Sequence, residues 1–292
     1  MRSIALATLL ASSLSCISAA PARLDSSPST SALIERDNVD LESRSTFDWS
    51  DGLEKRDLEE RGSNGVITTC KNQGQFALTF DDGPYIWGPD IQQVFDDHDA
   101  QATFFVNGNN WDCIYDRADD LIARYNEGHL IGSHTWGHED VSKLSADELN
   151  DQLAYVEEAL KKILGIKPRF FRPPYGSYSS EALKVLRNRG YTVVNWSFDS
   201  GDSAGKSPSS TISSYKKLAQ SYPKPQIALN HETYKGTVEK VVPSVVPMLI
   251  NKGYRLVTVA ECLGMSPYQS VGKASRRDSS WTCAGKPGPG EN

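Results

Sequence analysis

The stretch QFALTFDDGPY, residues 75–85, joins a continuous apolar run to two adjacent carboxylates and a Gly-Pro pair. A short apolar run of this kind is typical of a strand that is buried on both faces of a sheet. Asp, Gly and Pro all favour turns, so Asp81 and Asp82 could mark only a surface turn at the end of the strand. Adjacent carboxylates repel each other, however, and a buried one is costly unless it is paired or binds a cation. Other parts of the sequence are needed to decide whether Asp81 and Asp82 form a surface turn or a cation site.

Six more apolar runs follow the first one, and helical patterns separate them. The predicted strands cover residues 76–80, 102–106, 130–132, 169–171, 192–196, 227–230 and 255–259. The predicted helices cover residues 90–98, 116–127, 145–165, 180–189, 208–220 and 238–252. Ser145 and Glu148 form a capping box at the start of the third helix, and Pro243 and Pro247 predict a kink or a broken start in the last one. Strands that alternate with helices predict an α/β fold with a parallel sheet, and we expect a distorted (β/α) barrel of about seven strands.

Residues that can bind a metal or carry a proton follow five of the predicted strands. They are Asp81 and Asp82, His134 and His138, Arg172, Asp199, and His231. In β/α barrels the carboxyl ends of the strands gather at one rim, and the chemistry takes place there. We therefore expect these side chains to meet at one site, which favours the cation site over the surface turn.

The segment SHTWGHED, residues 133–140, contains two histidines four positions apart. On a helical turn this spacing places both imidazoles on one face, as a pair of metal ligands requires. The pattern alone is a weak signal, and two surface histidines are the alternative. With one carboxylate from the first strand, His134 and His138 complete the three protein ligands that a catalytic zinc site uses. The sequence predicts one divalent ion, for which zinc is our first choice and cobalt or manganese would also fit.

The other groups at the rim predict metal-assisted hydrolysis of an acyl bond. One aspartate of the pair would bind the ion, and the other would take a proton from the attacking water. His231 would protonate the leaving group, and Asp199 would be the acidic partner that keeps the imidazole charged. Arg172 would hold the base through a bidentate contact, although a structural ion pair is the alternative for this arginine.

Four motifs that occur in the order TFDDGP, HTWGH, RPPYG and LNH resemble the signature motifs of the polysaccharide deacetylases, carbohydrate esterase family four. The resemblance covers about residues 66–263. It implies a distorted (β/α) barrel, a divalent metal and the removal of acetyl groups from N-acetylated sugars. The roles that it implies are general base for Asp81, metal ligands for Asp82, His134 and His138, orientation of Asp81 for Arg172, and acid for His231.

The same resemblance implies contacts with the substrate. The backbone NH of Tyr175 would help to hold the oxyanion, and Leu229 would line the pocket for the acetyl methyl group, although Leu229 could equally be a core residue. The fourth motif of the family is commonly D-x-x-D-W, whereas this chain reads DSGDS over residues 199–203, with Ser203 in place of the tryptophan. The aromatic surface for sugar rings would then come from Trp87, Trp111, Trp136 and Tyr175, although each of them alone could be a packing residue.

The two ends of the chain differ from its middle. Residues 1–20 are typical of a secretory signal, because Arg2 precedes an apolar run that is too short for a membrane anchor. Residues 21–61 are polar and predict a propeptide or a disordered segment. Residues 62–265 form the predicted catalytic domain, and residues 266–292 form a C-terminal extension.

The cysteines predict disulfides. Removal of the signal would take Cys16 away and leave four, and an even number in a secreted chain favours disulfide bonds. Four cysteines allow three pairings. Cys70 precedes the first strand and Cys262 follows the last one, and these two places meet in a closed barrel. We therefore expect the pairs Cys70–Cys262 and Cys113–Cys283.

The charge of the chain argues against a nucleic-acid partner, because Lys and Arg number 31 and Asp and Glu number 37. We also expect a monomer without membrane attachment, since no apolar tail follows Cys283. Together the features resemble those of secreted fungal chitin deacetylases, which would act on chitin or chitooligosaccharides outside the cell or in its wall. An acetyl xylan esterase or a peptidoglycan deacetylase fits the same motifs. A chitin-binding protein without catalysis is a third hypothesis, and the complete set of Asp and His residues argues against it.

Overall fold

Strand β1, Gln75–Gly83, lies near the middle of the main sheet in the computed structural model, which describes residues 65–290 of the chain. Eight of its nine residues are buried. The predicted signal and propeptide, residues 1–20 and 21–61, lie outside the described residues, as does Cys16.

The elements alternate along the chain as the sequence predicts, with additional short strands. The strands are β1 Gln75–Gly83, β2 Thr103–Val106, β3 Leu130–Ser133, β4 Ile166–Pro168, β5 Phe170–Phe171, β6 Thr192–Val193, β7 Phe198–Asp199, β8 Gln226–His231, β9 Arg255–Leu256 and β10 Tyr268–Val271. The helices are α1 Gly88–Asp96, α2 Ala118–Asn126, α3 Ala146–Leu164, α4 Ser180–Asn188, α5 Pro208–Ala219, α6 Val242–Lys252 and α7 Val259–Leu263.

The main sheet is parallel and has the order β6-β5-β3-β2-β1-β8-β7, with β9 paired to the first residues of β1. It curls into part of a barrel, so the predicted α/β class and distorted barrel are confirmed. The two ends of the sheet, β6 and β7, are consecutive in the chain and are joined by residues 194–197. All carboxyl ends of the strands consequently face the same rim, where the predicted site residues lie.

Two helices follow their local sequence signals closely. Helix α3 begins at the capping box of Ser145 and Glu148 and ends at Gly165, whose φ of 73° lies in the left-handed region that glycine adopts without strain. Its inner face buries a stripe of aliphatic residues. The predicted broken start of the last long helix is also present, because a π-helical turn, Thr237–Val241, precedes α6.

The buried apolar side chains form two clusters. The larger cluster fills the sheet and its contacts with most of the helices, and its fully buried rings include Phe76, Phe80, Phe95 and Phe104. The smaller cluster packs α3 and α4 against β5 and β6. Each fully buried side chain of this size contributes about 1.5–3 kcal/mol relative to an exposed one, which holds the rim residues on a rigid frame.

Both predicted disulfides are present, Cys70–Cys262 and Cys113–Cys283. The first joins the segment before β1 to α7, and the second joins the loop after β2 to the C-terminal extension. The extension also contributes β10, which pairs antiparallel with β4. Strands β4, β7 and β10 are absent from the predicted strands, because they are two to four residues long and carry no continuous apolar run. None of the helices among residues 65–290 combines the length and apolar character that a bilayer crossing needs.

Candidate metal centre and active site

Three potential metal ligands meet where β1 and β3 end. Asp82, His134 and His138 each offer one ligand atom, and these atoms all lie within 4.8 Å of one another. Oδ1 of Asp82 is 3.6 Å from Nε2 of His134 and 3.1 Å from Nε2 of His138. One ion could contact all three atoms, so the two-histidine, one-carboxylate set that the sequence predicts is brought together.

The protonation pattern of these residues fits a divalent cation. Nδ1 of His134 lies 2.7 Å from the carbonyl oxygen of Arg172, which can only accept a hydrogen bond, so Nδ1 carries the proton and Nε2 presents a lone pair. Oδ1 of Asp82 is buried and has no donor with hydrogen-bond geometry among the described residues. Burial raises the pKa of Asp82, and only positive charge beside it, from protonated His134 and His138 or from a bound cation in their place, lowers this pKa below its usual range and keeps the carboxylate ionised. A lone pair and a carboxylate that face each other call for a cation between them.

A local distortion of β1 allows both aspartates to reach the rim. In a regular strand, consecutive side chains point to opposite faces, so adjacent residues would not serve one site. Here the pairing with β2 shifts register between Asp81 and Gly83, and Asp82 has a φ of 71°. His138 and Thr135 also have positive φ values, 62° and 69°. A positive φ at a residue other than glycine costs of order 1–3 kcal/mol. Residues in this conformation cluster at functional sites, as they do around this triad.

Asp81 is held by a fully buried arginine. Nη1 of Arg172 donates to Oδ1 of Asp81 at 2.8 Å and also to Oγ1 of Thr79. Its Nε and Nη2 donate to the carbonyl oxygens of Val194 and Asn195, at 3.2 and 3.0 Å. The predicted bidentate contact is therefore wrong, because a single nitrogen reaches Asp81 and the others bind the backbone. The second carboxylate oxygen, Oδ2, remains 3.8 Å from Nε2 of His134 and faces the triad.

The acidic partner of His231 is Asp202, and the prediction of Asp199 for this position is wrong. Oδ1 of Asp202 lies 2.7 Å from Nδ1 of His231, and its Oδ2 accepts hydrogen bonds from the His231 backbone NH and from Oγ1 of Thr237. Asp199 is exposed at the end of β7, where its carboxylate accepts from the backbone NH of Gly201. The turn that follows β7 returns the chain towards β8, so the second aspartate of DSGDS, and not the first, reaches the imidazole.

This contact sets the charge of His231. Burial lowers the pKa of the imidazole, but the hydrogen bond and the charge of Asp202 raise it by more, with smaller contributions from Asp81 and Asp82, to about 9. Because Nδ1 faces Asp202, Nε2 is the nitrogen that can donate a proton elsewhere. His231 is thus protonated near neutral pH, as a general acid should be.

The two predicted substrate contacts Tyr175 and Leu229 differ in their exposure to solvent. Tyr175 is 69% exposed, lies in a turn with a φ of 59°, and its ring centroid is 4.9 Å from that of His138. Leu229 is buried in β8, where it pairs with Thr79 and Asp199. Both lie near the rim, where the resemblance places them.

Trp136 cannot stack on a sugar, and this prediction is wrong. Its side chain is fully buried, and its Nε1 donates to the carbonyl oxygen of Pro287 at 2.9 Å because the C-terminal extension covers it. An exposed aromatic group lies instead just beyond β1, where Tyr85 contacts Trp87 and Trp111 with centroid distances of 5.1 and 5.4 Å. Trp111 is 49% exposed.

Comparison with known proteins identifies the family. Residues 68–194 match the family described as polysaccharide deacetylase. The chain is 37% identical to a chitin deacetylase of Colletotrichum lindemuthianum over 212 residues, which are 69% of this chain and 84% of the relative. It is 35% identical to a peptidoglycan-N-acetylglucosamine deacetylase of Bacillus cereus over 193 residues, which are 64% of this chain and 68% of the relative.

Solved structures agree with this sequence comparison. The structure of the chitin deacetylase from Colletotrichum lindemuthianum matches with a TM-score of 0.66 and 34% identity, and the match covers 73% of this chain and 97% of that one. By sequence and by fold, the chain belongs to the polysaccharide deacetylase family.

Proposed function

We propose that this chain is a metal-dependent deacetylase that hydrolyses the N-acetyl groups of GlcNAc residues in chitin or chitooligosaccharides and releases acetate. The observation that carries the proposal is that two adjacent carboxylates make different contacts at the site. Asp82 faces the histidine pair, whereas Asp81 is held beside it by Arg172 with one oxygen directed at the site. The chitin deacetylase relatives from Colletotrichum lindemuthianum and Pestalotiopsis, at 37% and 36% identity, support the choice of substrate.

Asp82, His134 and His138 would hold the ion, for which zinc suits the donor set best, with cobalt or manganese as alternatives. When bound, a divalent ion in this position lowers the pKa of water and polarises a carbonyl group. Asp81 accepts the proton of the attacking water, and Arg172 keeps its carboxylate in place. The backbone NH of Tyr175 donates to the oxygen that gains negative charge.

The second half of the reaction needs an acid on the other side of the site. His231 donates its Nε2 proton to the amide nitrogen as the bond to the carbonyl carbon breaks, so that the sugar leaves as an amine. Asp202 keeps the imidazole protonated and fixes the orientation of its ring. Leu229 contributes apolar surface for the acetyl methyl group. Asp199 has no part in this scheme.

Two disulfides and the predicted signal support an extracellular or cell-wall location, because disulfides persist in oxidising compartments. The relative from Bacillus cereus gives a specific reason to keep peptidoglycan as a second candidate substrate. Esters and amides pass through similar tetrahedral intermediates, so the catalytic groups alone do not separate chitin from acetylated xylan.

The test is acetate release from chitopentaose, peptidoglycan and acetylated xylan, each measured with and without a chelator. We expect chitopentaose to give the highest kcat/KM and the chelator to abolish release, with recovery on addition of Zn²⁺. Preference for peptidoglycan or xylan would contradict the proposed substrate. Full turnover by chelator-treated, metal-free protein would contradict the proposed mechanism.

A further inference from the structure

The end of the C-terminal extension, residues 283–290, lies across the loops beside the metal triad, and we call it the strap. The Cys113–Cys283 disulfide attaches its first residue to the loop after β2. Further along, the carbonyl oxygen of Pro287 accepts hydrogen bonds from Nδ2 of Asn109 at 3.0 Å and from Nε1 of Trp136 at 2.9 Å. These contacts fix the strap to both loops that border the site.

A cation held among aromatic rings adds a further attachment. Nζ of Lys286 lies 4.8 Å from the ring centroid of Trp136 and 5.4 Å from those of Tyr115 and Tyr155. A desolvated cation over aromatic rings stabilises by up to about 2 kcal/mol. The last described residue, Gly290, donates its backbone NH to the carbonyl oxygen of Gly137 at 3.1 Å. The strap is thus a fixed part of the wall next to His138.

A pocket of about 530 Å³ opens between the strap and His138 of the triad. Its lining includes His138 and Tyr175 of the site, Glu139 and Lys143 of the following loop, and Pro289 and Gly290 of the strap. This volume is within the range of about 300–1,000 Å³ that small-molecule sites occupy, and it exceeds what an acetyl group needs. The pocket therefore has room for a larger part of the substrate.

The polar groups of this pocket suit a sugar ring. Glu139 lines the pocket, and its Oε1 has no hydrogen-bond partner within the described part of the chain, so this carboxylate keeps acceptor capacity for a hydroxyl group. The side chain of Lys143 is 79% exposed, and its ammonium group, 3.1 Å from Oδ2 of Asp140, keeps further N–H donors for a ligand. The exposed ring of Tyr175 offers a face for stacking. A neutral ring that carries several hydroxyl groups matches this combination of acceptor, donor and aromatic surface.

We propose that the strap and the loop of residues 137–144 form a subsite for the sugar unit next to the one that loses its acetyl group. The inference rests on the proposed function and adds a substrate-length determinant to it. Residues 283–290 lie outside the family match at residues 68–194.

The experiment compares a long substrate with one that has no sugar. Truncation after Pro287 removes residues 288–292, among them Pro289 and Gly290 of the pocket lining, but keeps the disulfide, Lys286 and the Pro287 carbonyl. The measured quantity is the ratio of kcat/KM for chitopentaose to kcat/KM for 4-nitrophenyl acetate, with bound metal determined in parallel. We expect this ratio to fall about tenfold in the truncated protein and about threefold in Lys143→Ala. The matched control is Lys273→Ala, an exposed lysine of the extension outside the pocket lining, which should leave the ratio unchanged.

Two results would overturn the subsite. One is a ratio within twofold of the wild-type value in both variants. The other is an equal loss on both substrates together with loss of metal, which would mean that the strap only supports the His138 loop. If the unmodified chain releases no acetate from chitopentaose, the proposed function fails, and calorimetric titration with chitopentaose then tests the subsite directly. Binding that the truncation does not weaken, or no binding to the full chain, would reject it.

Discussion

Two buried arginine–carboxylate pairs lie on either side of strand β2, and only one of them belongs to the catalytic site. Arg172 binds Asp81 with its guanidinium 4.3 Å from the ring centroid of Phe105. Arg124 binds Glu232, and its guanidinium is 4.1 Å from the ring centroid of Phe104. Both arginines are fully buried. Neighbouring strand residues point to opposite faces, so β2 stacks one arginine on each side.

The two carboxylates differ in what surrounds them. Oε1 of Glu232 accepts from the backbone NH of Tyr85 at 2.7 Å and from Nη2 of Arg124 at 3.0 Å, while Oε2 lies 2.8 Å from Nη1. A Cβ added at Gly83 would lie 2.1 Å from Cδ of Glu232, so the Glu232 carboxylate has no free space on the side of Gly83. Asp81, in contrast, keeps one oxygen directed at the triad. The Arg124–Glu232 pair, which we call the enclosed pair, holds the loop after β1. In the Arg172–Asp81 pair, which we call the open pair, the carboxylate can take a proton.

Among the variants that test this difference between the two carboxylates, Asp81→Asn should have the largest effect. The amide cannot accept the proton, so kcat/KM should fall about 10³–10⁴-fold, while the metal content and the melting temperature stay close to the wild-type values. The measurement is acetate release together with metal analysis by mass spectrometry. If the bound metal disappears along with the activity, the roles of Asp81 and Asp82 are exchanged.

Arg124→Met tests the enclosed pair. It leaves the Glu232 carboxylate buried without its cation, which should lower the free energy of unfolding by about 3–5 kcal/mol in urea denaturation. The double variant Arg124→Met/Glu232→Met removes both charges and should recover part of this loss. A small effect of the single variant would show that water or another group reaches Glu232, and that the pair is less closed than the structure indicates.

The pH dependence tests a third buried ion pair, His231 with Asp202, which belongs to the site. Activity needs protonated His231, so it should fall as the pH rises through about 9 in the wild type. Asp202→Asn removes the charge that raises this pKa, and the alkaline limb should move towards pH 6.5, by about two pH units. The Asp199→Asn variant is the matched control and should keep the wild-type profile. An unchanged limb in Asp202→Asn would assign the acid to another group.

The same pKa shift predicts how stability depends on pH. The pKa of His231 is raised from 6.5 in the unfolded chain to about 9 in the folded one. The pair therefore contributes its full stabilisation below pH 6.5 and loses it as the pH rises from 6.5 through 9. Melting curves of the wild type and Asp202→Asn should differ more at pH 6 than at pH 10. Equal differences at both values would contradict this linkage.

The smallest effect concerns the packing around the enclosed pair. A Cβ at Gly88 would lie 1.5 Å from Nη2 of Arg124, so Gly88→Ala has to displace the guanidinium. Overpacking of this kind destabilises by about 1–3 kcal/mol, and the matched change Gly205→Ala meets no atom within 4 Å of the new Cβ. Gly205 has a φ of 78°, so that control carries backbone strain only. Equal losses at the two sites would mean that Arg124 moves aside easily.

The sequence was sufficient for those parts of the site that local patterns encode. The spacing of His134 and His138 and the position of the aspartates after β1 predicted the triad, because strand ends in a parallel barrel converge whatever the details of the loops. The Cys70–Cys262 pair followed from the meeting of the first and last strands in a closed barrel, and Cys113–Cys283 was the pair that remained. The strand alternation that should have separated Asp81 from Asp82 is broken by a bulge, which no residue pattern announced.

Long-range contacts explain the predictions that were wrong. Asp199 and Asp202 have the same chemistry, and only the path of the turn after β7 decides which one meets His231. Trp136 has the composition of a sugar platform, but it is covered by a carbonyl oxygen from Pro287, 151 positions later in the chain. The sheet hydrogen bonds of β4 and β10 likewise join segments about 100 residues apart, beyond the reach of any periodicity.

Arg172 has a consequence for how this protein could change over evolutionary time. Its guanidinium binds the carbonyl oxygens of Val194 and Asn195 in the segment that joins the two ends of the sheet, as well as the catalytic carboxylate. Lysine has a single nitrogen and could not replace these contacts. Mutations at Asp81 or His231 would abolish hydrolysis in an otherwise intact protein. Loss of Arg172 would also release the segment that joins the two ends of the sheet, β6 and β7. Descendants that give up catalysis and survive as sugar-binding proteins should therefore retain this arginine long after the base or the acid has been lost.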